Sequence, residues 1–283
     1  MNRTPKRKQT AYGSWVIAII VLAAIVLAGV YLVRMALHPA TPAANSALPA
    51  PAAASTAAPA SAAPTIQHPI AQANAGPAPA STAPLPTLAD SDSSVLDALA
   101  SLADGGNVRA LLVSDQIIAR VVATVDALPR QSIGSTHILP LHTPQGTMVT
   151  RQANGVTLID ARNADRYKPY IAVLQSVDPH ALVAWYKHNY PLFQQAYREL
   201  GYPHGYFNDR ALVAIDDMLA APDLHDPVAV KRDGPHYVLV DPQLQSLSNG
   251  QKLMVRLGPE NEAQFKAKLR MIRTLLVGEQ VGH

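Results

Sequence analysis

The hydrophobic pattern divides the chain into three regimes. In the first, no Asp, Glu, Lys or Arg interrupts the stretch from Gln9 to Val33, which contains GSWVIAIIVLAAIVLAGVYLV. Residues 15–33 would form a helix of about 28 Å, close to the roughly 30 Å hydrocarbon thickness of a bilayer. Tyr12, Trp15 and Tyr31 stand near its two ends, where amphipathic rings favour the headgroup level. In the second regime, residues 36–84, 20 of 49 positions are Ala and 10 are Pro, with no charge. Frequent prolines stop helix growth and favour extended polyproline conformations, and such a segment buries too little varied apolar surface to offset its ordering entropy. Only from residue 85 does the pattern take on the periods of regular structure.

That third regime predicts mostly helices. Ser94 with Asp97 reads as a capping box for a short helix reaching about residue 103. Val108, Leu111, Leu112, Ile118, Val122 and Val125 mark one helical face that Pro129 ends. The period then shortens. GTMVTRQANGVTLID reads as a hairpin around Asn154-Gly155, and PVAVKRDGPHYVLVDP as a second around Asp233-Gly234. Three helices are expected between them, near 164–175, 179–200 and 209–220, with Asp178-Pro179 as cap and first turn of the middle one. Pro191 should kink or split that helix. Asp241-Pro242 predicts a short helix, and Pro259 opens the last one. The expected fold class is α+β: a mainly α-helical domain with one or two small β-hairpins, behind a single N-terminal transmembrane helix and a disordered Ala/Pro-rich linker. The divisions are a basic tail 1–14, a membrane span 15–34, a linker 35–84 and a folded domain 85–283.

Charge changes the picture in one respect. Arg3, Lys6, Arg7 and Lys8 precede the apolar run and only Arg34 follows closely, which predicts an uncleaved signal anchor with a cytoplasmic N-terminus. The formal net charge of +3 belongs largely to these residues. From Asp90 onward the balance is 18 basic minus 20 acidic, or −2, so nucleic acid is not an expected partner. The chain has no cysteine, which removes thiol chemistry and Cys-ligated metals.

Ten of the fifteen aromatic residues lie between Tyr167 and Phe207. Leu182, Tyr186, Tyr190, Phe193, Tyr197 and Leu200 fall on one face of a helix, and a stripe of rings at helical spacing is first of all a core. Gly201 suits the left-handed residue that ends that helix, with Tyr202 packing back on Tyr197. Asn208 reads as the next N-cap and Phe207 as a staple onto Leu212. His204, Tyr206, Asn208, Asp209 and Arg210 therefore form the candidate ligand-binding set, the region 202–210 being where a glycan-binding or cell-wall-active site would have to lie. Lys266, Arg270 and Arg273 make a basic stripe on the last helix, a candidate surface for an anionic partner, with Glu262 to Lys266 as a favourable pair. Asp223, His225 and Asp226 read as a turn before a metal site, and Asp217 is expected to be exposed with Asp216 marginal. No catalytic motif, metal spacing or cofactor loop occurs, so no catalytic residue, metal or cofactor is assigned.

The blocks LPTLADSDSSVLDAL, ARVVATVDALPR, YKPYIAVLQSVDPHALVAWYKHNYPLFQQAYRELGYPHGYFNDRALVAIDDMLA and DPQLQSLSNGQKLMVRLGPENEAQFKAKLR resemble the bacterial family called domain of unknown function 3014, over about residues 85–276. The resemblance implies a Gram-negative-type envelope, hence a single-pass inner-membrane protein with a periplasmic domain; the anchor, the long linker and a helical domain without a catalytic signature lead to the expectation that this domain binds or scaffolds another envelope component, an envelope protein or peptidoglycan. It supplies no catalytic residues.

Overall fold

A computed structural model describes residues 65–75, 84–103, 107–132, 138–234 and 236–279. The first helix, α1 (Asp92–Leu102), starts two residues before the expected capping box. Ser94 turns its hydroxyl back onto the Ser91 carbonyl (2.8 Å), and Asp97 pairs with Arg109 (2.6 Å). The single helix expected beyond residue 108 is two, α2 (Val108–Leu111) and α3 (Ile117–Ala127). The break is held from outside: the Asp92 carboxylate accepts the N–H groups of Gln116 (2.7 Å) and Ile117 (2.8 Å), so α1 caps α3. Gln116 takes φ +52°, an uncommon conformation for a residue with a Cβ, which that carboxylate stabilises.

Both hairpins form. In β1 (Thr150–Ala153) and β2 (Val156–Ile159), Ala153 pairs with Val156. Asn154 and Gly155 lie at φ +50° and +76°, as a type I′ turn requires. In β3 (Val230–Asp233) and β4 (His236–Leu239), Asp233 pairs with His236, so the two-residue loop is 234–235, one position later than the Asp-Gly signal. The two ribbons touch through an isolated bridge, Leu158 to Ala229, and a bond from the Ile159 N–H to the Val228 carbonyl (2.9 Å).

A 3-10 segment, Ala161–Tyr167, leads into α4 (Lys168–Ser176). Asp178 caps α5 (Pro179–Glu199) by accepting the His180 N–H (2.7 Å). Pro191 does not split α5, which runs as one element of 21 residues. Packing on both sides holds it, since Tyr190, Leu192 and Phe193 are all buried. Next come α6 (Phe207–Leu219), α7 (Pro242–Gln245) with its cap at Asp241, α8 (Asn249–Leu257) and α9 (Pro259–Leu276). Sequence reasoning missed α8 although its signal was present: Ser248 and Gln251 make a reciprocal capping box.

The rings assigned to the core are in it. Phe193 stacks on Phe207 (5.9 Å, 15°), Tyr197 on Tyr202 (4.6 Å, 19°), and Trp185 meets Phe193 edge-on (5.8 Å, 89°). With Ile117, Ile118 and Val122 they form one cluster, while Leu212, Ile215, Met254, Leu269 and Leu275 form a second. Phe207 thus belongs to the ring cluster rather than acting as a staple to Leu212.

All described residues belong to one unit of the chain, residues 61–283. Among them no helix is long and apolar enough to cross a membrane, and the span expected at 15–34 lies outside the described residues. Residues 65–75 depart from the linker expected over 35–84: they lie along the domain, with Ala73 only 4% exposed inside the second cluster.

Candidate functional site

The turn between α5 and α6 is built from within. Gly201, at φ +114°, lets the chain leave α5, and the Tyr202 N–H returns to the Tyr197 carbonyl (3.3 Å). Gln194 pins the far side, donating to the Gly205 carbonyl (2.8 Å) and accepting the Phe207 N–H (2.9 Å). Gly205 has no substitute here, because a Cβ would stand 2.7 Å from a ring carbon of Tyr197. Tyr206, not Asn208, is the N-cap residue of α6, which starts earlier than expected. Asn208 is fully buried in its first turn.

Three of the five candidate residues in this turn share one task, holding residues 65–75. The Asp209 carboxylate accepts the N–H groups of Gln67 (3.0 Å) and His68 (2.7 Å). Asn208 donates its side-chain amide to the His68 carbonyl (2.8 Å), and the Tyr206 hydroxyl accepts the Ile70 N–H (2.8 Å). Lys187, on α5, completes the seat by reaching the carbonyls of Ala71 (2.9 Å) and Ala73 (3.0 Å). Lys187 carried no signal in the sequence, because it gains meaning only once residues 65–75 are in place.

Arg210 points elsewhere. Its Nε donates to Asp126 Oδ1 (2.9 Å) and its Nη2 to the Asp126 carbonyl. Arg130 and Tyr202 converge on the other carboxylate oxygen, with Tyr202 at 3.2 Å. Asp126 is 6% exposed, so this is a partly buried carboxylate compensated by two guanidinium groups and a phenol. A signal existed: Asp126 stands four residues after Val122 on the apolar face of α3, and four before Arg130. His204 is exposed. The five residues therefore do not converge: three clasp the chain's own segment, one neutralises Asp126, and one faces solvent. The rings of Tyr202 and Phe207 are likewise committed to packing, and Tyr206 leans against Tyr190 (5.3 Å, 48°).

The basic stripe on α9 does not exist as a stripe. Lys266 is 2% exposed and reaches Glu262 (2.8 Å), Asp223 (2.7 Å) and the Ala221 carbonyl (2.6 Å). The reason is packing: α9 lies against α4, α5, α6 and α8, so more than its apolar face is covered. Arg273 is paired with Asp216, and Arg270 is exposed. The expected Glu262–Lys266 pair is real but buried. The acidic pair of α6 is reversed, Asp216 being exposed and Asp217 half-buried, where it accepts the Ser248 hydroxyl (2.6 Å).

A cleft of about 640 Å³ lies elsewhere, between the first hairpin, the 3-10 segment with α4, the loop 224–228 and the α8–α9 junction. Arg151, Arg256, Asp226 and Glu260 line it, and their side chains make no hydrogen bond or ion pair with described residues. Among the described residues no Phe, Tyr or Trp lines it. Among the described residues no group of three His, Asp or Glu side chains could hold a metal. The wall is set by Asp160, whose carboxyl the Arg162 guanidinium (2.9 Å) and then the Arg162 N–H (2.9 Å) hold down to a pKa of about 2. A depressed folded-state pKa gives a contribution present above the unfolded value of about 4 and lost as pH falls through about 2. The Arg162 amide resonance is thus expected to stay unchanged down to about pH 4 and to titrate with a midpoint near 2; a midpoint near 4 would show the contact absent.

No curated protein and no solved structure matches the chain. A family model does, over residues 117–273, from the first residue of α3 almost to the end of α9. That match is more than half of the chain and takes in Asp126, Asn208 to Arg210, the whole cleft lining and Lys266, while residues 65–75 and α1 stand outside it. The chain belongs to the family described as Protein of unknown function (DUF3014).

Proposed function

We propose that this chain is a bacterial inner-membrane protein, held by residues 15–34, whose periplasmic domain binds another envelope component and does no chemistry on it. The observation that carries this reading is the cleft of about 640 Å³, lined by charges of both signs that make no hydrogen bond or ion pair with described residues. Two cations and two carboxylates in one concavity, none hydrogen-bonded or ion-paired to described residues, suit a ligand that itself carries both signs, such as a peptide segment of an envelope protein or a peptide-bearing cell-wall fragment. A bare glycan is a poorer fit, since sugar recognition leans on stacking against Phe, Tyr or Trp and none is among the described lining residues. The sequence carries no catalytic motif, which favours binding over catalysis.

The seating of residues 65–75 refines the tether. Only about 30 residues, 35–64, then separate the span from the domain, a reach of about 90 Å if extended. The test is photo-crosslinking in living cells of the full chain carrying a benzophenone side chain at Ala172, an exposed position on the cleft rim. One reproducible adduct is expected, lost on Arg256→Glu and absent when the probe sits at exposed Val213 on α6. No adduct at Ala172, or one indifferent to Arg256, would sink the reading.

A further inference from the structure

Among the described residues the buried charged side chains are Asp126, Lys252, Glu262 and Lys266. Three of them are compensated from within. Asp126 meets Arg130 and Arg210, and Glu262 and Lys266 meet each other. Lys252, on α8 and 9% exposed, stands apart: its amine makes no hydrogen bond or ion pair with described residues. Taking a charge out of water without a partner is unfavourable, and the rest of this fold avoids it.

The neighbourhood makes matters worse for the empty domain. Burial lowers the Lys252 pKa, the Arg256 guanidinium lowers it further, and no carboxylate among the described residues raises it. Like charges four positions apart on a helix repel. Yet the amine is not sealed from solvent. Lys252, Val255 and Arg256 follow steps of three and four, so they share one face of α8. Val255 and Arg256 line the cleft of about 640 Å³, and Lys252 stands one turn behind them on that face.

We propose that Lys252 and Arg256 form the carboxylate subsite of the cleft, a carboxylate of the bound peptide or peptide-bearing fragment being the counter-ion that the fold itself does not provide. This rests on the cleft being the binding site. A guanidinium takes a planar carboxylate through two parallel N–H groups, and an ammonium one turn away adds a third donor. A phosphate group fits less well. It brings nearly two negative charges into a cleft that also holds Asp226 and Glu260, which repel it. Binding a carboxylate offsets the unfavourable state of Lys252, so the ligand gains what the empty domain lacks.

The test is competitive acylation of the full chain in detergent, read lysine by lysine by mass spectrometry. Acetate, against chloride at matched ionic strength, is expected to slow acylation of Lys252 several-fold, because a bound carboxylate holds the proton on the amine. Exposed Lys231 should be unchanged. Arg256→Met should remove most of the protection, and inorganic phosphate should protect less than acetate. In cells, Lys252→Met should cut the Ala172 adduct several-fold while Lys252→Arg keeps it. The proposal is overturned by no acetate protection, by protection that survives Arg256→Met, by stronger protection from phosphate, or by a Lys252 that is not acylated at all. An adduct lost on Arg256→Glu but indifferent to Lys252→Met would overturn it too, and leave the cleft reading standing. With no adduct at Ala172 the cleft reading falls, and acetate protection alone decides whether the subsite exists.

Discussion

Lys266→Met is expected to destabilise the fold by about 3–5 kcal/mol, whereas Glu262→Gln combined with Lys266→Met should recover most of that loss. Lys266 and Glu262 are each only 2% exposed, and the lysine also reaches Asp223 and the Ala221 carbonyl. Removing the ammonium alone leaves the Glu262 carboxylate buried without a counter-charge, and the cost of that desolvation dominates. Removing both charges leaves a volume close to the original and no stranded ion. Burial by itself would lower the Lys266 pKa, but contacts with Asp223 and Glu262 outweigh it and raise the value. A raised folded-state pKa means that the contribution is complete below about pH 10, the unfolded lysine value, and fades only as pH rises through the higher folded value. The substitution should therefore show its full effect at neutral pH. Thermal unfolding of the full chain in detergent, followed by circular dichroism, measures both variants. Equal destabilisation by the single and double changes would mean that Glu262 does not depend on Lys266.

Phe207→Ala is expected to cost about 3–5 kcal/mol by the same measurement. Phe207 is 2% exposed and its ring stacks on Phe193, with Tyr197 (5.5 Å) and Tyr186 (6.4 Å) alongside. Truncation opens a cavity among rings that cannot close in, because Tyr197 is already stacked on Tyr202 and Tyr190 is tied to Gln194 (2.8 Å). Phe207→Leu should cost clearly less, since it refills most of the volume and forfeits only ring geometry worth about 1 kcal/mol per pair. A loss under 1 kcal/mol for the alanine change would show that the ring cluster is not the core of this half of the domain.

The two results bear on different errors of reading. The ring stripe at 182–200 was legible because steps of three and four repeat over several turns and because rings are costly to expose. Lys266 was not legible. Helical spacing placed it with Arg270 and Arg273, but spacing names only the faces of one helix and says nothing of how many neighbours surround it. With α9 covered by four helices, the position beside the apolar face went inside, and Glu262 and the loop at 221–223 went with it. Asn208 was misplaced for a related reason. A residue type suited to capping was assigned as a cap, while the segment it donates to is more than a hundred residues away in the chain.

The sequence by itself determined the places where short-range chemistry has one good solution. Aspartate before proline starts α5 and α7, and Asn154-Gly155 turns the first hairpin. Gly201 ends α5, and the periodic rings make a buried face. The apolar run near the N-terminus and the Ala/Pro tract after it are equally local statements, and they carry the proposed topology. The tertiary structure alone decided which polar groups meet. Asp92 capping α3, Asp126 drawing in Arg130 and Arg210, and Asp209 clasping residues 65–75 are all contacts between distant parts of the chain. The same holds for the cleft, whose four open charges come from the first hairpin, the loop before β3 and two helices. Secondary structure is set by energies that act within a few residues. A seat or a cleft is set by which surfaces the packed helices leave facing one another, and that is fixed only when the whole domain closes.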